Sequence, residues 1–301
     1  MNGINLTLAE LIFLQNYISS NMINTKKNVR SILSGQKVSK LKGKGIDFEE
    51  VREYVFGDDI KAIDWNITAR TGRAHTKIYK EERERPILLV VDLSSSMRFA
   101  SKKAFKSIIA AHFATLLAKL ATLHKDKVGG VIYSGKNHLE LRPKANNPGV
   151  QSLIRNLYFL HEEMDLEEDE NAMNFSLRRL KNFVHSGSLV IIISDFNNFD
   201  NHTQTLCQQI GKHNDIALVF IYDEIEKKAP KSGHYLISNG INNKIFDTTN
   251  KNIRNTYEKL FNDKFNFIKK FAYDNKYLFV PLATNDDLIA ALNNNFQIFK
   301  K

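Results

Sequence analysis

Three oxygen-bearing side chains stand at alternate positions in Asp92-Leu-Ser94-Ser-Ser96-Met97, directly after the apolar run Pro86-Ile-Leu-Leu-Val-Val91. A second apolar run, Val190-Ile-Ile-Ile-Ser194, also ends on an acid, Asp195. Continuous apolar runs of this length are the pattern of strands buried on both faces. In an open α/β sheet, ligands collect just beyond the carboxyl ends of such strands. If the two strands are neighbours, Asp92, Ser94, Ser96 and Asp195 converge on one crevice. The set is oxygen-only, which suits Mg²⁺ or Mn²⁺, and Ca²⁺ where there is room. With no imidazole or thiolate in it, zinc is disfavoured. Asp and Ser after a strand also serve as ordinary turn and cap residues. The pairing of acids at two strand ends is what favours the cation reading.

Enzymatic readings of the same residues lack parts. A phosphatase of the haloacid-dehalogenase type places its nucleophilic Asp after an apolar strand but needs a second Asp two residues on, and Ser94 stands there. A hydroxyl cannot serve as that general acid at neutral pH. The chain has no Gly-x-Ser-x-Gly elbow and no Gly-rich phosphate loop ending in Lys-Ser/Thr. Its nine His are scattered, with no His-Glu-x-x-His. A metal-dependent hydrolase acting on phosphate esters through Asp92 and Asp195 is the enzymatic alternative to a non-catalytic site.

The elements around these residues alternate. Strands are expected at Ile87–Val91, Val128–Tyr133, Val190–Ile193, Ala217–Tyr222 and Tyr277–Pro281, with helices at about Ser101–Leu123, Val150–Phe159, Asn174–Val184, Gln204–Lys212 and Asn252–Tyr273. In the first of these helices Phe105, Ile108, Ile109, Phe113, Leu116, Leu117 and Leu120 recur at three and four. Such alternation predicts an α/β fold with a mainly parallel, doubly wound sheet and helices on both faces. A β-ribbon is expected over Lys127–Arg142 and a shorter hairpin around Asn239-Gly240. An amphipathic helix is expected from Leu6 to Met22, and a dense irregular segment from Asp47 to Arg85.

The chain has 301 residues, 43% apolar, and a net charge of +10 that is unevenly spread. No acid lies between Glu10 and Asp47, a window holding Lys26, Lys27, Arg30, Lys37, Lys40, Lys42 and Lys44. Such a window binds phosphate backbones or anionic lipid, or is simply a solvated segment. No aromatic residue interleaves these bases, which disfavours single-stranded nucleic acid. An acidic run spans Glu162–Glu170. No apolar stretch is expected to reach the roughly 20 residues of a bilayer span, the N-terminus lacks signal-peptide character, and Cys207 is the only cysteine. A cytoplasmic protein is the expectation.

The stretch Gly43-Lys-Gly45-Ile-Asp47-Phe48, Arg52-Glu-Tyr54, Gly57-Asp58-Asp59-Ile-Lys61, Ile63-Asp64-Trp65 and Ala69-Arg70 resembles the signature of domain-of-unknown-function family 58. Two positions depart from it: Asp47 stands where Glu is usual and Lys61 where Arg is usual. Lys cannot reproduce the two-pronged contact of Arg with a carboxylate. The resemblance implies a von Willebrand factor A-like, Rossmann-type sheet from Pro86, and Asp92-x-Ser94-x-Ser96 resembles the first half of a metal-ion-dependent adhesion site. Three segments follow from it: 1–42 as an N-terminal helix and basic stretch, 43–85 as a signature segment capping the sheet, and 86–301 as the sheet domain. Adhesion sites usually add a Thr from a second loop; counting back from Leu177 places that position at Asn171, with Asp169 and Glu170 beside it. Arg52, Tyr54, Gly57, Asp58, Asp59, Asp64, Trp65 and Arg70 form either a structural cap or a docking face. The implied partner is a MoxR-type AAA+ ATPase, with the protein as a non-catalytic adaptor whose cation shell is completed by a partner's acidic side chain.

Overall fold

The computed structural model describes residues 3–21, 46–81, 85–163, 169–238 and 243–296. The basic window from Lys26 to Lys44, the middle of the acidic run and the Asn239-Gly240 turn lie outside them. The chain divides into two compact units, one of Met1–Leu33 with Arg85–Lys301 and one of Ser34–Glu84.

Helix α1 (Leu8–Asn21) opens the larger unit. The smaller unit is an antiparallel hairpin of β1 (Ile46–Glu53) and β2 (His75–Glu81). Its connection holds a 3-10 turn (Ile60–Ala62) and helix α2 (Trp65–Thr71). This segment, expected to be irregular, forms regular elements. The period-two alternation of Ile46, Phe48 and Val51 is broken by a register shift between Phe48 and Glu50, so the strand pattern loses its phase midway.

The larger unit resumes with β3 (Pro86–Asp92), α3 (Lys106–Leu123), β4 (Lys127–Ser134) and β5 (Asn137–Ala145). Then follow α4 (Asn146–Glu162), α5 (Ala172–Lys181), β6 (Leu189–Ser194), α6 (Asn201–Gly211) and β7 (Asp215–Tyr222). The chain continues through α7 (Glu224–Lys227), a hairpin of β8 (His234–Ser238) and β9 (Asn243–Asp247), α8 (Lys251–Asp274), β10 (Leu278–Ala283) and α9 (Leu288–Asn295). The central six-stranded sheet runs in the order β10-β7-β6-β3-β4-β5, all parallel except the antiparallel edge strand β5.

The expected mixed α/β architecture with a mostly parallel sheet is therefore present. β3 is buried on both faces, and its residues divide by parity. Ile87, Leu89 and Val91 join a core with α1, α3, α4 and α9, whereas Leu88 and Val90 join a second core with α5, α6 and α8. At roughly 1.5–3 kcal/mol for each large aliphatic side chain removed from water, this central strand anchors both layers. Its contact with β4 is unusually close at Gly130. That residue has φ +145°, and a Cβ there would stand 1.9 Å from the Leu89 carbonyl oxygen.

Two expectations change. Helix α3 begins at Lys106 rather than near Ser101, because residues 101–105 are committed elsewhere. The Ser101 amide donates to Asp223 at 3.0 Å and the Phe105 amide to the Gly3 carbonyl at 3.0 Å. Helix α3 is also 18 residues long and apolar enough, by length and composition, to cross a membrane, contrary to the expectation that no stretch would be. Of those residues 83% are buried inside the fold. Its uniform apolarity arises because it packs beneath the sheet with α1, α4 and α9 around it.

Candidate functional site

β3 leads to β4 on one side of the sheet, while β6 lies on its other side. The direction of winding therefore reverses between β3 and β6. This is the place where the carboxyl ends of two adjacent parallel strands leave an open crevice. Val91 and Ile193 are register partners, so Asp92 and Ser194 end the strands side by side and Asp195 follows. Asp92 and Asp195 are both buried.

Asp92 is fixed through both oxygens. The Ser94 amide donates to Oδ1 at 2.9 Å and the Ser194 hydroxyl to Oδ2 at 2.5 Å. Burial, and then the charge of Asp195, push the Asp92 carboxyl above the usual carboxylate range. Ser94 precedes a short 3-10 turn (Ser95–Met97) and Ser96 lies within it, their hydroxyl oxygens 3.3 Å apart. Buried Tyr133 is the register partner of Asp92 on β4. Burial, and then the charge of Asp92, push its phenol well above its ordinary value. Phe196, just past Asp195, sits at φ 53°, a conformation that costs a non-glycine residue on the order of 1 kcal/mol. Its amide donates to the Ser194 hydroxyl at 2.9 Å.

The structure adds a group that sequence reasoning missed. The Lys106 ammonium, in the first turn of α3, donates to Asp195 Oδ2 at 2.7 Å and to Glu226 Oε1 at 2.9 Å. Asp195 Oδ1 accepts the Asn197 amide at 3.1 Å. Burial would raise the Asp195 carboxyl, but the charges of Lys106 and Lys264 and these hydrogen bonds hold it below its ordinary value. Burial likewise opposes the Lys106 charge, yet Asp195 and Glu226 hold its pKa above that of a free lysine.

Asp223, at the end of β7, completes the set. Its side chain accepts the Ser101 hydroxyl at 2.5 Å and the Thr284 hydroxyl at 2.6 Å, and caps α7. Glu226 closes that capping box by accepting the Asp223 amide at 2.8 Å. Sequence signals for both additions existed. Lys106 shares a helical face with Ile109, Ala110 and Phe113, and Asp223-Glu-Ile-Glu226 has capping-box spacing.

The donor chemistry fits a hard cation at one half of the crevice. Cis oxygens around an octahedral ion at about 2.1 Å stand about 3 Å apart, close to the separation of the Ser94 and Ser96 hydroxyls. A buried carboxylate with a raised pKa gains from a neighbouring positive charge. At the other half, Asp195 already faces the Lys106 ammonium. Asn171 immediately precedes α5 and is exposed. Its amide donates to Asp169 at 2.9 Å, and no hydrogen bond joins it to Asp92, Ser94, Ser96 or Asp195. Among the described residues there is no cluster of three His, Cys, Asp or Glu with metal-holding geometry.

A family model described as "Protein of unknown function DUF58" matches residues 50–265. The chain belongs to the DUF58 family. Curated relatives of this DUF58 chain include "Uncharacterized protein Rv1480" of Mycobacterium tuberculosis (strain ATCC 25618 / H37Rv). It is 22% identical over 215 residues, which span 71% of this chain and 67% of the relative. "Uncharacterized protein Mb1516" of Mycobacterium bovis matches to the same extent. Among solved structures, the conserved hypothetical protein BatB from Bacteroides thetaiotaomicron aligns at 14% identity and a TM-score of 0.46, covering 72% of this chain and 98% of that one. An aerotolerance-related membrane protein from Bacteroides fragilis aligns at 11% identity and 0.48, with the same coverage.

The DUF58 signature residues build the smaller unit by local bonds. Asp58 pairs with Arg52 at 2.8 Å and accepts the Val55 amide at 3.0 Å. Asp59 caps the 3-10 turn, and Asp64 caps α2 through the Asn66 and Ile67 amides while pairing with Lys77 at 3.3 Å. Gly57 and Gly72 have positive φ and close the two turns. Tyr54 is half-buried and its amide donates to the Ala74 carbonyl. Arg70 is exposed in the last turn of α2. The aromatic residues point outward: Phe56 is 100% exposed and Trp65 66%. The charged signature residues thus fold the loop, while Phe56 and Trp65 face solvent.

Proposed function

We propose that the larger unit is a von Willebrand A-like, non-catalytic interaction module whose crevice holds Mg²⁺ or Mn²⁺ and offers it to a partner's carboxylate. The observation that carries this reading is the position of Asp92, Ser94 and Ser96 at the reversal of strand order, with two hydroxyl oxygens 3.3 Å apart beside a buried carboxylate. Asp92, Ser94 and Ser96 would hold the ion, and Asn171 lies on the loop expected to complete the shell. Bound there, the ion supplies an open coordination position for an acidic side chain. Ser94 and Ser96 have no hydrogen bond to a histidine among the described residues. Asp195, the second acid of the hydrolase reading, is paired with the Lys106 ammonium and held below its ordinary pKa, which makes it a poor general base and favours binding over hydrolysis.

The partner in this proposal is a MoxR-type AAA+ ATPase, on the strength of the family likeness, and the exposed Phe56 and Trp65 of the signature unit form a second docking face. The proposal places the protein in the cytoplasm. In its support, α3 spends its apolar surface inside the core and has little left for a bilayer. Binding of the ATPase to wild type and to Asp92→Asn tests the role. The account predicts Mg²⁺-supported binding in wild type and at least about tenfold weaker binding in the variant. Equal binding by a folded Asp92→Asn protein would overturn it. The variant is the decisive comparison, since chelation also strips the ATPase of its nucleotide metal.

A further inference from the structure

Lys106 is a buried cation that the interaction role does not require. Its side chain is 2% exposed, and its ammonium bridges Asp195 on the loop after β6 and Glu226 on α7. The second oxygen of Asp195 accepts the Asn197 amide, and the second oxygen of Glu226 accepts the Asp223 amide. Every carboxylate oxygen around the ammonium is therefore engaged. Asp223 in turn grips Ser101 and Thr284. The arrangement ties the ends of β6 and β7 and the start of α3 around one fixed positive charge.

We propose that Lys106 is the resident cation of the Asp195 half of the crevice and withholds Asp195 from any divalent ion. A dication close enough for Asp195 to bind would stand within a few ångströms of an ammonium that cannot move away. Like charges at that range in a poorly solvated site repel strongly. An ion in the crevice is then held by Asp92, Ser94 and Ser96 without Asp195, and a partner's carboxylate supplies the missing anion. Lys106 is thus a positioning residue that sets cation affinity. The inference rests on the cation reading of the crevice.

The test is calorimetric titration of Mn²⁺ into wild type, Lys106→Met, Asp195→Asn and Asp92→Asn, each checked for folding by circular dichroism. The expected result is Mn²⁺ binding at least about tenfold tighter in Lys106→Met than in wild type, since removing the ammonium frees Asp195. Asp195→Asn should keep a saturable Mn²⁺ site, weakened because the Lys106 ammonium loses one of its counter-charges, since that carboxylate does not itself hold the ion. The second variant decides the matter if Lys106→Met does not fold. Binding in wild type that is unchanged in Lys106→Met, or lost in Asp195→Asn, overturns the role of Lys106 and leaves the Asp92 site standing. Binding in Lys106→Met alone supports the role of Lys106 and overturns the wild-type crevice as a cation site. No binding in any protein overturns both.

Discussion

Ser194 serves two masters at the crevice: its hydroxyl donates to Asp92 and accepts the amide of Phe196, a residue held at φ 53°. Ser194→Ala leaves a buried acceptor and a buried amide unpaired, and should destabilise the fold by about 2–4 kcal/mol in urea unfolding. Ser95→Ala is the control, since its buried hydroxyl has no hydrogen-bond partner among the described residues, and should change stability by less than about 1 kcal/mol. A second residue sets the pH response. His112 on α3 is fully buried against α1, its Nε2 3.8 Å from a Glu10 oxygen. Burial lowers its pKa from 6.5 to about 4, against the opposing pull of Glu10 and with Lys103 adding to the lowering. Above pH 6.5 both folded and unfolded states are neutral there. As pH falls from 6.5 towards about 4 the unfolded chain takes up the proton first, so stability drops, by up to about 3 kcal/mol. Urea midpoints between pH 7 and 4 should show this fall, and His112→Phe should flatten it. Asp92 and Asp195 were legible in the sequence because each ends an apolar run. Lys106 was not, because a lysine in a first helical turn ordinarily faces water, and only its face-sharing with Ile109 and Phe113 betrays its burial.

The elements that carry the site follow the same logic. β3, β4, β6 and β7 were readable as buried strands because both faces of each are apolar, and α3 because its apolar residues recur around most of the helix. The start of α3 was not readable, since the hold of Asp223 on Ser101 joins residues 122 positions apart. The β1–β2 hairpin was hidden by its register shift, and α9 by its length of eight residues. The tightest constraint among the elements is the approach of β4 to β3. Gly130→Ala adds a Cβ 1.9 Å from the Leu89 carbonyl oxygen, at a φ that side chains rarely adopt. The displaced strand is the one that ends in Asp92. The expected outcome is a loss of at least about 3 kcal/mol, or failure to fold, in thermal and urea denaturation.

At the scale of the whole molecule, the signature unit and the sheet unit do different work in this account. The signature unit spends its acids on caps and turns and leaves Phe56 and Trp65 in solvent. Phe56→Ser combined with Trp65→Ser should therefore move the melting temperature by less than about 2 °C. The same pair should weaken ATPase binding by at least about tenfold in biolayer interferometry. The sheet unit gathers buried charge at one crevice, where two neighbouring strand ends carry buried acids and a buried ammonium bridges Asp195 and Glu226. In the proposed role, Asp92 is the acid left to a cation. The most direct measurement is titration of Mn²⁺ into wild type and Asp92→Ala, followed by calorimetry. The account predicts one saturable site in wild type and its loss in a folded Asp92→Ala protein; an equal response in the two, or none in either, would contradict it.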